Sequence, residues 1–319
     1  MRQRLRKRHG KFGWRHGLFW VGTAVLLLLF AAPQLLAEEM EGETDPGNPR
    51  IEELGEAAAP GHPQAEELRI SGATTLQPLV ERLAEVHASR SGVRIQVEGG
   101  GSGKGIAHVL EGVSDLGMVS RDLRSEEKAK LQHKLVGLDA VCFILNPSVG
   151  IESLSRSQVQ DLYSGRVKNW AQLGGPDLPV VLVSKELGRA TLDLFEGYAL
   201  MHHPGRKEPG SAGYVSRESL EIGSNLEAMT LVAGIPGAVG YVSYGSAMAT
   251  KARGLAIIVV ASDGVAPSHQ AILDGSFPIR RGLNLVYAHA APAILDFLAA
   301  FDTPEGSRLV EADGFIPAH

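Results

Sequence analysis

Cysteine is nearly absent from this 319-residue chain. Cys142 stands alone, so no intramolecular disulfide can form and no lipid-modified cysteine follows the apolar stretch near the amino terminus. In its apolar, strand-like surroundings it reads as core packing. Aromatic residues are also few, at 6% against 44% hydrophobic residues overall, a content that fills one large core or two medium ones. Internal repeats are lacking. The 38 glycines and 17 prolines follow no collagen-like period and suit short turns between alternating strands and helices. Positive charge is scarce beyond the amino terminus: seven of the 31 basic residues and none of the 36 acidic ones fall in the first 37 positions, leaving 24 bases against 36 acids. That balance excludes nucleic acid as a partner. The histidines, His202 and His203 included, have no zinc-ligand spacing, so neither a metal nor another cofactor is expected.

What is present begins with an address. Arg2, Arg4, Arg6, Lys7, Arg8, Lys11 and Arg15 precede an uncharged run over residues 17–37 that contains Val25-Leu26-Leu27-Leu28-Leu29. A basic end followed by an apolar run is an export signal or a signal anchor. Leu35-Leu36-Ala37 offers a small residue only at its last position, and 21 uncharged residues can span a bilayer, so cleavage and retention both stay open. Residues 38–67 hold ten acids and a single base, Arg50, with four prolines and four glycines, and read as a flexible linker. From Leu68 onward the balance is 23 bases to 26 acids.

The remainder alternates strand and helix. Leu68-Arg69-Ile70 is a short strand, after which Leu76, Leu79, Val80, Leu83 and Val86 share one helical face that Gly92 terminates. Val93-Arg94-Ile95-Gln96-Val97 alternates with period two, and a second helix carries Ile106, Val109 and Leu110. Residues 116–120 and 139–145 are further strands. Ser155 with Gln158 forms a capping box, opening a helix that closes near Gly165. Val180-Val181-Leu182-Val183 is a buried strand and residues 191–200 a helix, which together make an α/β sheet covered by helices. Trp170 and Tyr241 read as packing residues at lobe edges.

Three loops share one design, in which a strand runs through small or hydroxylated residues into the amino end of a helix. They are Ser71-Gly72-Ala73-Thr74-Thr75, the run from Gly99-Gly100-Gly101 through Ser102-Gly103-Lys104-Gly105, and the segment Lys185 to Thr191 containing Arg189 and Ala190. Helix amino ends expose unpaired N–H donors, and several converging on one point would hold an anion. Each loop alone is equally a helix cap. Nucleotide motifs are excluded, because Glu98 occupies a position where a Walker loop needs glycine and Lys104 is followed by Gly105.

Read in order, these loops resemble the phosphate-binding protein family of ABC transporters. The marks are Ser71 to Thr75, Gly101-Ser102-Gly103, Asp115-Leu116-Gly117-Met118-Val119-Ser120-Arg121, Tyr163-Ser164-Gly165 with Asn169-Trp170, Gly237-Ala238-Val239-Gly240-Tyr241, and Asp274-Gly275-Ser276-Phe277-Pro278-Ile279 with Arg281. Thr303-Pro304-Glu305-Gly306 and Gly314-Phe315-Ile316-Pro317 extend the likeness to the carboxyl end. The resemblance implies the type II periplasmic-binding-protein fold, two α/β lobes joined by a two-crossing hinge. The first lobe would comprise residues 68–147 and 245–319, the second 148–244. It further implies an inorganic oxyanion, phosphate foremost, held by Ala73, Thr74, Thr75, Ser102, Ser120 and Arg121 and, from the other lobe, by Lys185, Arg189, Ala190 and Thr191. Asp122 would either accept the ligand's proton or pair at the surface with Arg121 or Arg124.

One departure stands out. The family pattern in the second lobe is an arginine, three residues, then Ser-Gly-Thr, whereas this chain has Lys185 and then Arg189-Ala190-Thr191. Lysine lacks the planar guanidinium fork, and an arginine at a helix amino end opposes the dipole unless an anion is present. The expected protein is therefore no enzyme. The resemblance implies a monomeric, extracytoplasmic binding protein that delivers its ligand to a transporter permease in the inner membrane, with a membrane-anchored oxyanion sensor or interaction module as the alternative. Hydrolysis of a phosphate ester would need a base-activated nucleophile, which the sequence does not display.

Overall fold

The computed structural model describes residues 67–318. The expected signal or anchor over residues 1–37 and the linker over residues 38–66 lie outside the described residues. Glu67, read from sequence as the linker's end, instead opens the first strand, Glu67–Gly72.

That strand pairs in parallel with Arg94–Gly99 on one side and Leu116–Val119 on the other. Between them runs the helix Gln77–Ser91, ended at Gly92 in the left-handed conformation with φ 74°. Leu76, Leu79, Val80 and Leu83 are buried as their spacing predicts, while Val86 is half-buried. The helix Ser102–Leu110 buries Ile106 and Val109 but leaves Leu110 exposed. The capping box also forms as predicted: the Gln158 N–H donates to Ser155 Oγ, the Ser155 N–H donates to Gln158 Oε1, and the helix runs Arg156–Tyr163.

A 14-residue strand, Gln132–Leu145, organises the sheet. Its first part pairs antiparallel with Arg280–Tyr287, and Val141–Leu145 pairs antiparallel with Ala238–Ser243. Beyond the latter lie Val181–Lys185 and Leu220–Ile222. Among the described residues, the two larger of three apolar clusters back the two ends of this sheet. One gathers Leu68, Ile70, Met118, Leu283, Phe297 and Phe315; the other gathers Phe143, Tyr163, Trp170, Phe195 and Tyr241.

Cys142 belongs to the second cluster, where burial pushes its thiol pKa up. Trp170 and Tyr241 are not edge residues but fully buried core. The indole N–H of Trp170 donates to the Gly237 carbonyl at 2.8 Å, and the Tyr241 ring stacks on Phe195 with centroids 4.2 Å apart. In both, a large apolar body goes inside because its polar tip finds a partner there.

Candidate functional site

The loops that follow the parallel strands meet at one cavity of about 240 Å³, counting its open mouth. Strand carboxyl ends in such sheets commonly face a shared crevice, and glycine permits the close approach here. Gly72 has φ +135°, and a Cβ on it would lie 2.3 Å from the Met118 carbonyl oxygen. Gly101 has φ +96°, and a Cβ there would lie 2.8 Å from the Gly188 carbonyl oxygen. With those two Cβ atoms missing, the Ala73 N–H donates to Met118 O at 2.9 Å and the Gly103 N–H reaches Gly188 O at 3.2 Å.

Nine of the ten residues predicted from sequence line this cavity: Ala73, Thr74, Thr75, Ser102, Ser120, Lys185, Arg189, Ala190 and Thr191. Helix starts at Ser102 and Ala190 aim backbone N–H groups into it. The N–H groups of Thr74, Thr75, Ser102, Ala190 and Thr191 have no protein acceptor among the described residues, so the cavity collects free donors. The Ser120 N–H is already taken by Ser102 Oγ at 3.0 Å.

Arg121 does not join them. Its guanidinium makes two 2.7 Å bonds to the Glu127 carboxylate and approaches Asp193 at 3.3 Å, lining a separate hollow. An arginine so fully engaged is turned away from the cavity. Asp122 is exposed and its carboxylate accepts the Gly282 N–H at 3.4 Å; it does not line the cavity, and although Arg121 Nη1 donates to its backbone carbonyl at 3.0 Å, its carboxylate forms no ion pair with Arg121 or Arg124, whose carboxylate partners are Glu127 and Asp193.

Several residues were missed as site components. Gly101, Gly223, Ser224 and Asn225 line the cavity. Ser224 caps the helix Asn225–Gly234 in a second capping box with Glu227, a signal that was readable in the sequence. Asn225 Nδ2 donates to Thr75 Oγ1 at 3.1 Å. Behind the cavity, Arg281 and Asp139 form an ion pair at 2.7 Å with both side chains wholly buried. Arg281 Nη1 donates to Ser120 O at 3.1 Å and to Thr191 Oγ1 at 3.2 Å. A hydroxyl oxygen that accepts from a guanidinium keeps its own hydrogen free to donate elsewhere, so Arg281 orients Thr191 without lining the cavity.

Two basic side chains, Arg189 and Lys185, belong to the cavity proper. Arg189 Nη2 donates to Glu186 Oε2 at 2.8 Å, and Gly223 leaves room for it, since a Cβ there would come within 2.7 Å of that nitrogen. Lys185 is 2% exposed, and its Nζ donates to the Ser224 carbonyl at 2.5 Å. Burial pushes its pKa down to about 7, with Arg189 and Arg281 adding repulsion and Glu227 and Glu186 opposing the shift. Among the described residues, no carboxylate lines the cavity. Among the described residues, no group of His, Cys, Asp and Glu side chains is arranged to hold a metal ion.

Residues 57–302 match the family described as the PBP superfamily domain. The phosphate-binding protein PstS of Bacillus subtilis (strain 168) is 29% identical over 310 residues, 92% of this chain and 93% of its own length. A Clostridium perfringens structure with bound phosphate, described as a phosphate ABC transporter substrate-binding protein, aligns with a TM-score of 0.70 at 29% identity; the alignment covers 80% of this chain and all of that one. An ABC-type phosphate transport receptor from Vibrio cholerae aligns with a TM-score of 0.62 at 25% identity, over 79% of this chain and 99% of that one.

Proposed function

The chain belongs to the PBP superfamily, and from that premise we propose that it captures phosphate outside the cytoplasm for an ABC transporter. It is a binding protein and not an enzyme, with the type II periplasmic-binding-protein fold of its relatives. One observation carries the ligand class: five free backbone N–H donors and two basic side chains share one cavity, and among the described residues no carboxylate lines it. A dehydrated oxyanion needs many fixed donors, each charge-assisted bond contributing about 1.5–3 kcal/mol net. In this reading Thr74, Thr75 and Ser102 grip the ligand from one side, while Lys185, Arg189, Ala190 and Thr191 grip it from the other.

We assign residues 68–147 and 245–319 to one lobe and 148–244 to the other. Bonds from Gly103 to Gly188 and from Asn225 to Thr75 then run between lobes, as in a closed form. A ligand touching both sides stabilises that form by differential affinity. Loops of a single chain complete the cavity, so capture requires one copy. Thermal unfolding of the purified protein with phosphate, arsenate, sulfate, molybdate and tungstate tests the reading. Phosphate is expected to raise the midpoint in a concentration-dependent way, and no shift with any of these anions would refute it.

A further inference from the structure

Lys185 is a buried amine whose surroundings would not offset a positive charge on it. It ends the strand Val181–Lys185 at 2% exposure, and an ammonium has three hydrogens to place. One goes to the Ser224 carbonyl at 2.5 Å. No ion pair with a carboxylate forms within the described residues. Of the groups facing it, Glu186 on its own loop is bonded to Arg189 at 2.8 Å. Glu227, on the helix Asn225–Gly234, spends Oε2 on the backbone N–H groups of Gly223 and Ser224. From the strand Arg280–Tyr287 comes Arg281, itself paired to Asp139, and from Ala238–Ser243 comes the Tyr241 hydroxyl, which accepts the Lys185 backbone N–H at 3.2 Å. The two carboxylates are thus committed to other donors while two guanidinium groups add repulsion. Burying an unpaired charge is costly enough that a lysine gives up its proton instead.

We propose that Lys185 makes anion capture proton-linked, standing as a neutral amine in the empty cavity and becoming an ammonium when an oxyanion dianion enters, so that one proton is taken up with the ligand. This rests on the phosphate reading above and deepens it. The balance is simple: the amine, one proton from solvent and hydrogen phosphate dianion give an ammonium–dianion pair. Dihydrogen phosphate reaches the same bound state by passing its own proton to the amine, with no net uptake. Uptake therefore appears at alkaline pH, where both the free ligand and Lys185 have lost a proton. An arginine at this position would stay charged throughout.

The sign agrees with burial pushing the Lys185 pKa down to about 7 in the empty protein. Above that pH the apparent Kd rises by roughly tenfold per pH unit, the slope for one proton bound with the ligand.

Calorimetric titration of the full chain with phosphate at pH 8.5, in two buffers of different ionisation enthalpy, counts the protons. The expected result is about one proton per phosphate for the native protein and about none for Lys185→Arg, whose Kd should also be flat between pH 7.5 and 8.5. Side-chain carbon NMR of lysine gives a second readout that does not need the variant. One lysine should titrate near neutrality in the empty protein and remain charged at pH 8.5 under saturating phosphate. Phosphate binding with the same proton count in native and Lys185→Arg proteins overturns this proposal alone. A native protein that binds no phosphate overturns the receptor reading, and the proton linkage with it.

Discussion

Arg281 illustrates how a site can depend on a residue that never touches the ligand. It and Asp139 are wholly buried, and its fork feeds Ser120 and Thr191. Removing one member of such a pair strands the other charge, so Arg281→Met is expected to destabilise the fold by about 3–5 kcal/mol, read from urea unfolding. Arg281→Lys should recover part of that stability but little of the phosphate affinity, because a single ammonium cannot serve Asp139 and the two loop oxygens together. Lys185 gives the opposite expectation. With its pKa lowered from 10.5 to about 7, the unfolded chain binds a proton that the folded one refuses between those values, so this residue's contribution to stability is least favourable at pH 7 and below and improves as pH rises toward 10.5. Lys185→Met should therefore raise the melting temperature of the empty protein at pH 7 by about 2–4 °C while abolishing the phosphate-induced shift. A variant that melts lower at pH 7 and still responds to phosphate would contradict both expectations. Arg189, at the cavity's mouth and half committed to Glu186, is expected to contribute about tenfold in affinity, or about 1.4 kcal/mol, by comparison of native and Arg189→Ala titrations.

At the scale of elements, the strand-loop-helix units were legible because each carries its own punctuation. Gly92 ends one helix and Ser155 with Gln158 starts another, both local signals that tertiary packing does not override. The long central strand was readable only from Asp139 onward. Its first residues, Gln132-His133-Lys134, are polar and partly exposed, and their strand conformation comes from pairing with Arg280–Tyr287 about 150 positions away. Site residues divide along the same line. Thr74, Ser102 and Thr191 sit beside helix starts that the sequence announces, as does Asn225 behind its Ser224 cap, whereas Arg281 reaches the site only through long-range pairing. Arg121 failed for the complementary reason, since Glu127 on the short helix Ser125–Lys128 and Asp193 in the first turn of the helix Ala190–Ala199 claim its guanidinium. The element that most depends on geometry is the turn after the first strand. Gly72→Ala combines positive φ with a Cβ 2.3 Å from Met118 O, so it should cost at least about 2 kcal/mol and displace the Thr74 and Thr75 donors. Ala73→Gly, which adds no atom, is the matched control in the same unfolding measurement.

For the molecule as a whole, the two proposed lobes are joined by the strand pairing of Val141–Leu145 with Ala238–Ser243 and, among other contacts, by two sets that bear on closure. Gly103 to Gly188, Asn225 to Thr75 and Arg281 to Thr191 cluster at the cavity, where a ligand would reinforce them. The other set lies apart from it and centres on Asp193, in the first turn of the helix Ala190–Ala199. Its carboxylate meets Arg206 at 2.8 Å within its own lobe, and Arg121 at 3.3 Å and Arg124 at 3.5 Å from the other. Asp193 lines the outer hollow and not the cavity, so it has no direct way to bind phosphate. Any effect it has must act through the balance between open and closed forms, because a group with differential interactions in two states shifts their populations. Asp193→Asn weakens the charged arm while keeping the side chain's size. Phosphate is then expected to dissociate about three- to tenfold faster, with association changed much less, since losses of interface contacts appear mainly in off-rates. Small-angle scattering should also give the unliganded variant a larger radius of gyration than the native protein, and the two should converge once phosphate is saturating. Native-like dissociation together with an unchanged scattering profile would mean that closure is governed by the cavity contacts alone and that the Asp193 cluster is only surface electrostatics.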